Sequence, residues 1–213
     1  MKRAPLLMTQ RHRMSRYYGF HSRIYDVTRW MFLFGRRRIV QDLTIRPGET
    51  IIEIGCGTGH NFDSIQTRLE NRGRIIGVDC SSPMLSRSSE LVRRRGWSNV
   101  ELLDDDYGRT PVLAARADVV LFSYSLSMIP AWQQALKCAK SELKPGGRIG
   151  IVDFGSVDTY RSPKWFSEWL SLNHVEVDRP YVNVLTSMYH PKVFREAAAF
   201  QGLWKYFRFV GTK

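Results

Sequence analysis

Along the middle of the chain, short β-branched apolar runs alternate with stretches whose apolar residues recur every three or four positions. Ile51, Ile52 and Ile54 read as a buried strand, and His60 to Leu69 as a helix with Phe62, Ile65 and Leu69 on one face. Arg74 to Val78 predicts a second strand. A helix comes next, with Ser81 at its cap and Pro83 in its first turn, and runs to about Arg95. Val100 to Leu103 and Ala117 to Phe122 are two further strands, the latter apolar apart from Asp118, as suits a strand covered on both faces. Ala131 to Leu143 predicts a helix carrying Trp132, Leu136, Ala139 and Leu143 on one face. Lys144-Pro-Gly-Gly then turns the chain into a fifth strand, Arg148 to Phe154. Strict alternation of this kind predicts an α/β fold, a mostly parallel sheet with helices on both faces.

The last third is less regular. Ser162 to Val175 reads as a helix bearing Trp165, Trp169, Leu170 and His174; Lys192 to Phe200 reads as another; Leu203 to Val210 reads as a closing strand. Six strands are thus expected. A seventh is supplied by Tyr181 to Leu185, or the sheet is incomplete.

The first 43 residues differ in kind from residues 44–213 and are expected to form a separate helical extension. From Arg11 to Leu43 a helical pattern mixes arginines with aromatic residues and is broken at Gly19 and Gly35. Of the net charge of +12, the first 38 residues carry +9, ten basic residues against the single acid Asp26. A basic aromatic arm on a near-neutral domain suits an anionic surface, with its helix lying in a headgroup layer. Packing of Trp30 to Phe34 on the core is the competing reading. No apolar run approaches the roughly eighteen residues of a membrane span, and Met1 to Met14 has no continuous apolar centre of the signal-peptide kind. Cys56, Cys80 and Cys138 have no metal-type spacing, so a reduced cytoplasmic protein without a metal is expected.

The chemistry concentrates in Thr50 to Gly59, TIIEIGCGTG. Gly55, Gly57 and Gly59 between a strand and a helix let the backbone approach a ligand and aim free amides at it. Twenty residues past Gly59, Asp79 ends the second strand, where an acid can take ribose hydroxyls. A dinucleotide fingerprint fails at His60, where it wants a small residue. The form present, Glu53, one residue, then Gly-x-Gly-x-Gly, resembles the first motif of class I S-adenosylmethionine (AdoMet) methyltransferases, with their Rossmann-like fold. That resemblance implies AdoMet as cofactor. It places Glu53, Gly55, Gly57 and Gly59 near its amino-acid portion, Asp79 on its ribose, and Asp106 on its adenine amino group with Tyr107 flanking the ring. Cys80, Met84, Ser123 and Tyr18 complete the implied cofactor contacts, and Ser123, Tyr124 and Ser125 stand where the methyl is presented.

Three further segments are more specific: Tyr18-Gly-Phe-His-Ser-Arg-Ile-Tyr-Asp, Ser123-Tyr-Ser-Leu-Ser-Met-Ile-Pro and Val152-Asp-Phe-Gly. Over about residues 17 to 175 they look like bacterial lipid-headgroup N-methyltransferases of the betaine-lipid (diacylglyceryl-homoserine) and phosphatidylethanolamine type; ornithine lipid presents a comparable amine. An amine nucleophile must first lose its proton, which from a pKa near 10 costs roughly 4 kcal/mol at pH 7. His21, then His174 and Tyr25, are the candidates to assist. Tyr18, Tyr25 and Tyr124 could wall a cationic product with ring faces. The implied partner is a lipid at an anionic membrane surface, with the protein peripheral on its cytoplasmic face and no nucleic acid expected. The competing functions are C-methylation of a ubiquinone or menaquinone precursor, a nucleic-acid methyltransferase favoured only by charge, and a non-catalytic membrane module.

Overall fold

The computed structural model describes residues 34–108, 110–113, 116–155, 168, 175–176, 179–199, 202 and 204–213. Its elements are α1 (Arg36–Asp42), β1 (Thr50–Ile54), α2 (Phe62–Leu69), β2 (Arg74–Asp79), α3 (Ser82–Arg95), β3 (Val100–Asp104), β4 (Ala117–Ser123), a 3-10 turn (Leu126–Met128), α4 (Trp132–Glu142), β5 (Leu143–Phe154), α5 (Tyr181–Met188), β6 (His190–Ala199) and β7 (Trp204–Thr212). They build one seven-stranded sheet in the order β3-β2-β1-β4-β5-β7-β6. The pairings from β3 to β5 are parallel, and β7 runs antiparallel to both β5 and β6.

Period-two alternation splits the apolar residues of each strand between two layers. Ile52 and Ile54 of β1, with Val120 and Phe122 of β4, pack under α4 and α5 together with Trp132, Leu136 and Leu185. Ile51, Val119 and Leu121 face the other way, onto Ile39 and Leu43 at α1 and Ile65 and Leu69 of α2. The one charged break in β4, Asp118, is explained by its partners: its carboxylate accepts the Thr50 N–H at 2.8 Å and the Lys144 ammonium at 2.8 Å. Residues between Leu143 and Arg148 loop out of register there, because Ala117 pairs with Leu143 but Val119 with Arg148.

Gly35, with φ +82, precedes α1, as the break expected there requires. Ile39, Val40 and Leu43 are buried, and Arg208 of β7 pairs with Asp42. Of the expected helix over Ser162 to Val175, only Glu168 and Val175 are among the described residues.

Two expectations are corrected in the last third. Tyr181 to Leu185, one of the two alternatives for the seventh strand, instead opens helix α5 behind Pro180. Its residues Tyr181 and Leu185, four apart, are buried on the α4 side of the sheet. Of Lys192 to Phe200, expected as a helix, the described residues through Ala199 belong instead to strand β6, which pairs with β7 from His190↔Thr212 to Ala199↔Trp204. Alanine-rich local propensity lost to the row of hydrogen bonds that β7 presents. The sheet therefore has its full seven strands.

Candidate functional site

The strand order reverses between β1 and β4, where chains leave in opposite directions and open a crevice at the carboxyl ends of the strands. That crevice is a cleft with about 580 Å³ of empty space that continues into solvent, within the usual size of small-molecule sites. Its floor is Ile54, Gly55, Gly57 and Val78. One end is formed by Asp79, Cys80, Met84, Asp105, Asp106 and Tyr107, the other by Tyr124, Ser125, Met128 and Ile129.

The glycine turn is built by close approach. Gly55 has φ +67, and a Cβ there would lie 2.4 Å from the Ser125 Cβ; the Ser125 hydroxyl donates to the Ile54 carbonyl at 2.6 Å. The turn after β1 is thus locked against the turn after β4. Gly57 is the opposite case: a Cβ there would meet nothing within 4 Å. The amides expected to point at a ligand are used internally. Gly55 N–H and Cys56 N–H donate to the Val78 carbonyl, and Gly57 N–H donates to Asp79 Oδ2 at 2.8 Å. Ser81 N–H takes the other oxygen, Oδ1, at 2.9 Å, while the Ser88 hydroxyl fixes the Gly57 carbonyl at 2.6 Å. Asp79 is therefore held by two backbone donors at the mouth of the cleft, as a carboxylate that receives hydroxyl groups should be.

Glu53 lies below this floor. It is 1% exposed and accepts the Asn61 side-chain amide at 2.5 Å on one oxygen, while the other accepts no hydrogen bond. Burial pushes its pKa up to about 7, against the pull of Asn61 and Arg36 and with a further push from Asp79. Ser123 is also buried and does not line the cleft, and neither does Gly59, whose φ of +78 lets α2 start against Phe62. Burial drives the Cys80 thiol up to about 12, so it is no thiolate nucleophile.

Of the catalytic candidates, only Tyr124 falls among the described residues, and its phenol is not the open wall expected. Tyr124 has φ +56 and is 1% exposed. Its ring packs edge-on against Phe154 at 4.8 Å, and its hydroxyl donates to the Phe34 carbonyl at 2.6 Å. Burial, then the Asp153 charge, holds that phenol well above its ordinary pKa. Tyr107 likewise turns its hydroxyl away from the cleft, donating to buried Glu142. Tyr18, His21, Tyr25 and His174 lie outside the described residues.

Several groups that shape the site were not anticipated. The 3-10 turn that presents Met128, with Ile129 next to it, is gripped from two sides. Buried Asp153 accepts the Ser127 N–H at 2.9 Å; Arg179 donates to the carbonyls of Leu126 and Ile129 at 2.8 and 2.9 Å and sits over the Trp132 ring. Burial raises Asp153 to about 6, opposed by the Ser127 and Phe154 donors and by Arg179. Arg179 also pairs with Glu176, three residues before it, but the carbonyls it grips belong to residues about fifty positions earlier, so nothing local ties it to the site. Glu142 did carry a signal, an acid set among Ala135, Cys138 and Ala139 on the buried side of α4. Among the described residues no group of three or more His, Cys, Asp or Glu could hold a metal ion.

Comparison with known proteins agrees with this geometry. Residues 51–147 match the family model described as a methyltransferase domain. An arsenite methyltransferase of Halobacterium salinarum is 31% identical over 107 residues, covering 50% of this chain and 27% of that protein. A demethylmenaquinone methyltransferase of Staphylococcus aureus is 29% identical over 118 residues, covering 55% and 48%. The chain thus spans less than half the length of these curated relatives. Among solved structures, Haemonchus contortus Phospholethanolamine N-methyltransferase 2 superposes with a TM-score of 0.78 at 16% identity, covering 99% of this chain and 61% of that one. Geranyl diphosphate C-methyltransferase from Streptomyces coelicolor A3(2) gives 0.74 at 14% identity, covering 97% and 99%. At such identities these two likenesses speak for the fold.

Proposed function

We propose that residues 51–147, which match the methyltransferase-domain model, form a class I, AdoMet-dependent methyltransferase domain, and that the protein transfers a methyl group to the amine headgroup of a membrane lipid. AdoMet supplies an electrophilic methyl group on a sulfonium centre. The residues present fit such a group. Asp79 offers an oriented carboxylate for ribose hydroxyls, Asp105 and Asp106 offer acceptors for the adenine amino group, and the open space over Gly57 leaves room for the backbone to be approached.

The observation that carries the amine reading is the neutrality of the acceptor end. Tyr124, Ser125, Met128 and Ile129 bring no carboxylate to the cleft there. A carboxylate would hold an ammonium protonated and its lone pair unavailable. A neutral wall instead favours the free amine and excludes water, and positioning two reactants in such a pocket can supply much of the acceleration. Lipid as the carrier of that amine is supported by the +9 charge on the first 38 residues. No helix among the described residues is long and apolar enough to cross a membrane; the docking proposed is peripheral, on the cytoplasmic face.

The test is lipid mass spectrometry of a host expressing the protein. New amine lipids heavier by one to three methylenes support the reading. A second reading, C-methylation of a quinone precursor, is favoured by the demethylmenaquinone methyltransferase relative and by the apolar side chains of Met128 and Ile129. An altered quinone with unchanged lipids would establish it instead. Absence of labelled AdoMet binding in equilibrium dialysis would leave only a non-catalytic module.

A further inference from the structure

Glu142 is the last residue of α4, and it is fully buried. Both facts oppose an acid there: burial penalises the charge, and the carbonyl end of a helix repels it. Its neighbours on that side of the helix, Ala135, Cys138 and Ala139, are buried and small, so an apolar residue would suit the packing. The carboxylate instead collects three donors from one loop. Oε2 accepts the Tyr107 hydroxyl at 2.5 Å; Oε1 accepts the N–H groups of Val112 at 2.5 Å and Leu113 at 3.2 Å. Two separate points of the loop, Tyr107 and Val112–Leu113, therefore end on a single side chain about thirty residues further on.

The same loop carries the chain from β3 into the cleft. Asp105, Asp106 and Tyr107 line the cleft in succession, and the Asp105 N–H is tied to the Asp79 carbonyl at 3.1 Å. The upstream end is thus fixed to β2, while the downstream end has Glu142 as its anchor. The Tyr107 ring meets Phe122 edge-on at 6.1 Å, which leaves its hydroxyl directed at the acid. We propose that Glu142 is a positioning residue: by holding Tyr107 and Val112–Leu113 together it sets the wall formed by Asp105, Asp106 and Tyr107, and through that wall the preference of the cleft for a 6-aminopurine over a 6-oxopurine. The chemical reason is that two carboxylates accept from an exocyclic amine and repel an exocyclic carbonyl, a discrimination that fades once the wall can shift. Burial raises Glu142 above the ordinary carboxylate range, and the Tyr107 hydroxyl and the two amides oppose that rise, as an anchor in use requires.

The inference rests on the cofactor reading above, and the experiment separates the two. The full chain is titrated calorimetrically with S-adenosylhomocysteine and with S-inosylhomocysteine, its 6-oxo counterpart. The unaltered protein is expected to prefer the first. Tyr107→Phe and Glu142→Leu should each weaken S-adenosylhomocysteine binding about tenfold, the scale of a lost charge-assisted hydrogen bond, and bring the two affinities closer together. Glu142→Gln should retain both affinity and preference, because its amide oxygen can accept from Val112 and Leu113 while its nitrogen donates to the Tyr107 oxygen. A purely structural role would lower the melting temperature and leave the ratio of the two affinities unmoved, and that result overturns the proposal. If Glu142→Leu does not fold, Tyr107→Phe, which loses one oxygen, decides by the same ratio. An unaltered protein that binds neither compound refutes the cofactor reading, and this inference with it.

Discussion

The two ends of the cleft are made differently. At the end formed by β2 and β3, Asp79, Asp105, Asp106 and Tyr107 sit within a few residues of the strands that place them; backbone amides orient Asp79, the Asp105 N–H is tied to the Asp79 carbonyl, and Glu142 of α4 holds Tyr107. At the end formed by β4 and the turn after it, the lining is neutral. It is held by groups from far along the chain: Asp153 from β5, Arg179 from the segment before α5, and the Phe34 carbonyl. The first end is charged and set mainly by the strands beside it, with one distant anchor in Glu142; the second is neutral and assembled mainly at long range. A site with this division can keep one bound partner constant while changing the other, because the acceptor end can be rebuilt without disturbing the acids.

The strongest way to break that division is Asp79→Ala. It removes the acceptor of Gly57 and Ser81 as well as the carboxylate at the mouth of the cleft. S-adenosylhomocysteine affinity should fall about a thousandfold, roughly 4 kcal/mol, as read by calorimetry; unchanged affinity would refute the ribose assignment. Next comes Gly55→Ala, at the joint between the two ends. The added Cβ meets Ser125 at 2.4 Å in a left-handed backbone, and the loss should be about 3 kcal/mol in urea unfolding.

The pH dependence of stability sharpens the comparison further. Burial raises both Glu53 and Asp153, to about 7 and about 6, so the folded state binds more protons than the unfolded one. Their contribution is full below the ordinary carboxylate values and is lost as pH rises through the folded ones. The protein should therefore be less stable at pH 8 than at pH 5 on account of this pair. Glu53→Gln should remove roughly 2–3 kcal/mol of that difference, seen in urea melts at the two pH values; an unchanged difference would deny that Glu53 is protonated in the folded state at low pH. The smallest effect is expected for Tyr124→Phe, which loses the bond to the Phe34 carbonyl. It should cost about 1 kcal/mol in stability and leave S-adenosylhomocysteine affinity within about twofold. A large drop in affinity would mean that the acceptor end also holds the cofactor.

Residues are a good guide where structure depends on their neighbours. Strands β1 to β4 and helices α2 to α4 stand within a few residues of the expected bounds, since each carries its own period and turn signals; β5 starts at Leu143, five residues before the expected Arg148, because Leu143 pairs with Ala117. Asp79 was legible because strand, glycine turn and acid recur at a fixed spacing. Lys192 to Phe200 was not, because a run such as Arg195-Glu196-Ala197-Ala198 prefers a helix until β7 offers it a partner. Tyr124 differs from expectation for a related reason: it borders the cleft, but its ring packs on Phe154 and its hydroxyl is held by the Phe34 carbonyl. Glu142 carried a signal as an acid on the buried side of its helix, but its partners, about thirty residues away, were not legible; nor were the carbonyls that Arg179 holds, about fifty residues away.

What the residues alone determined is the order of strands and helices from β1 to β5, the glycine turn with its acid, and the uneven placement of charge, because each depends on periodicity, backbone permissiveness or composition within a short window. What only the folded chain decided is which side of each strand end faces the cleft, which carboxylates are held by amides, and which phenols are spent on packing. Those outcomes turn on long-range partners competing for the same groups, and no local pattern records who wins.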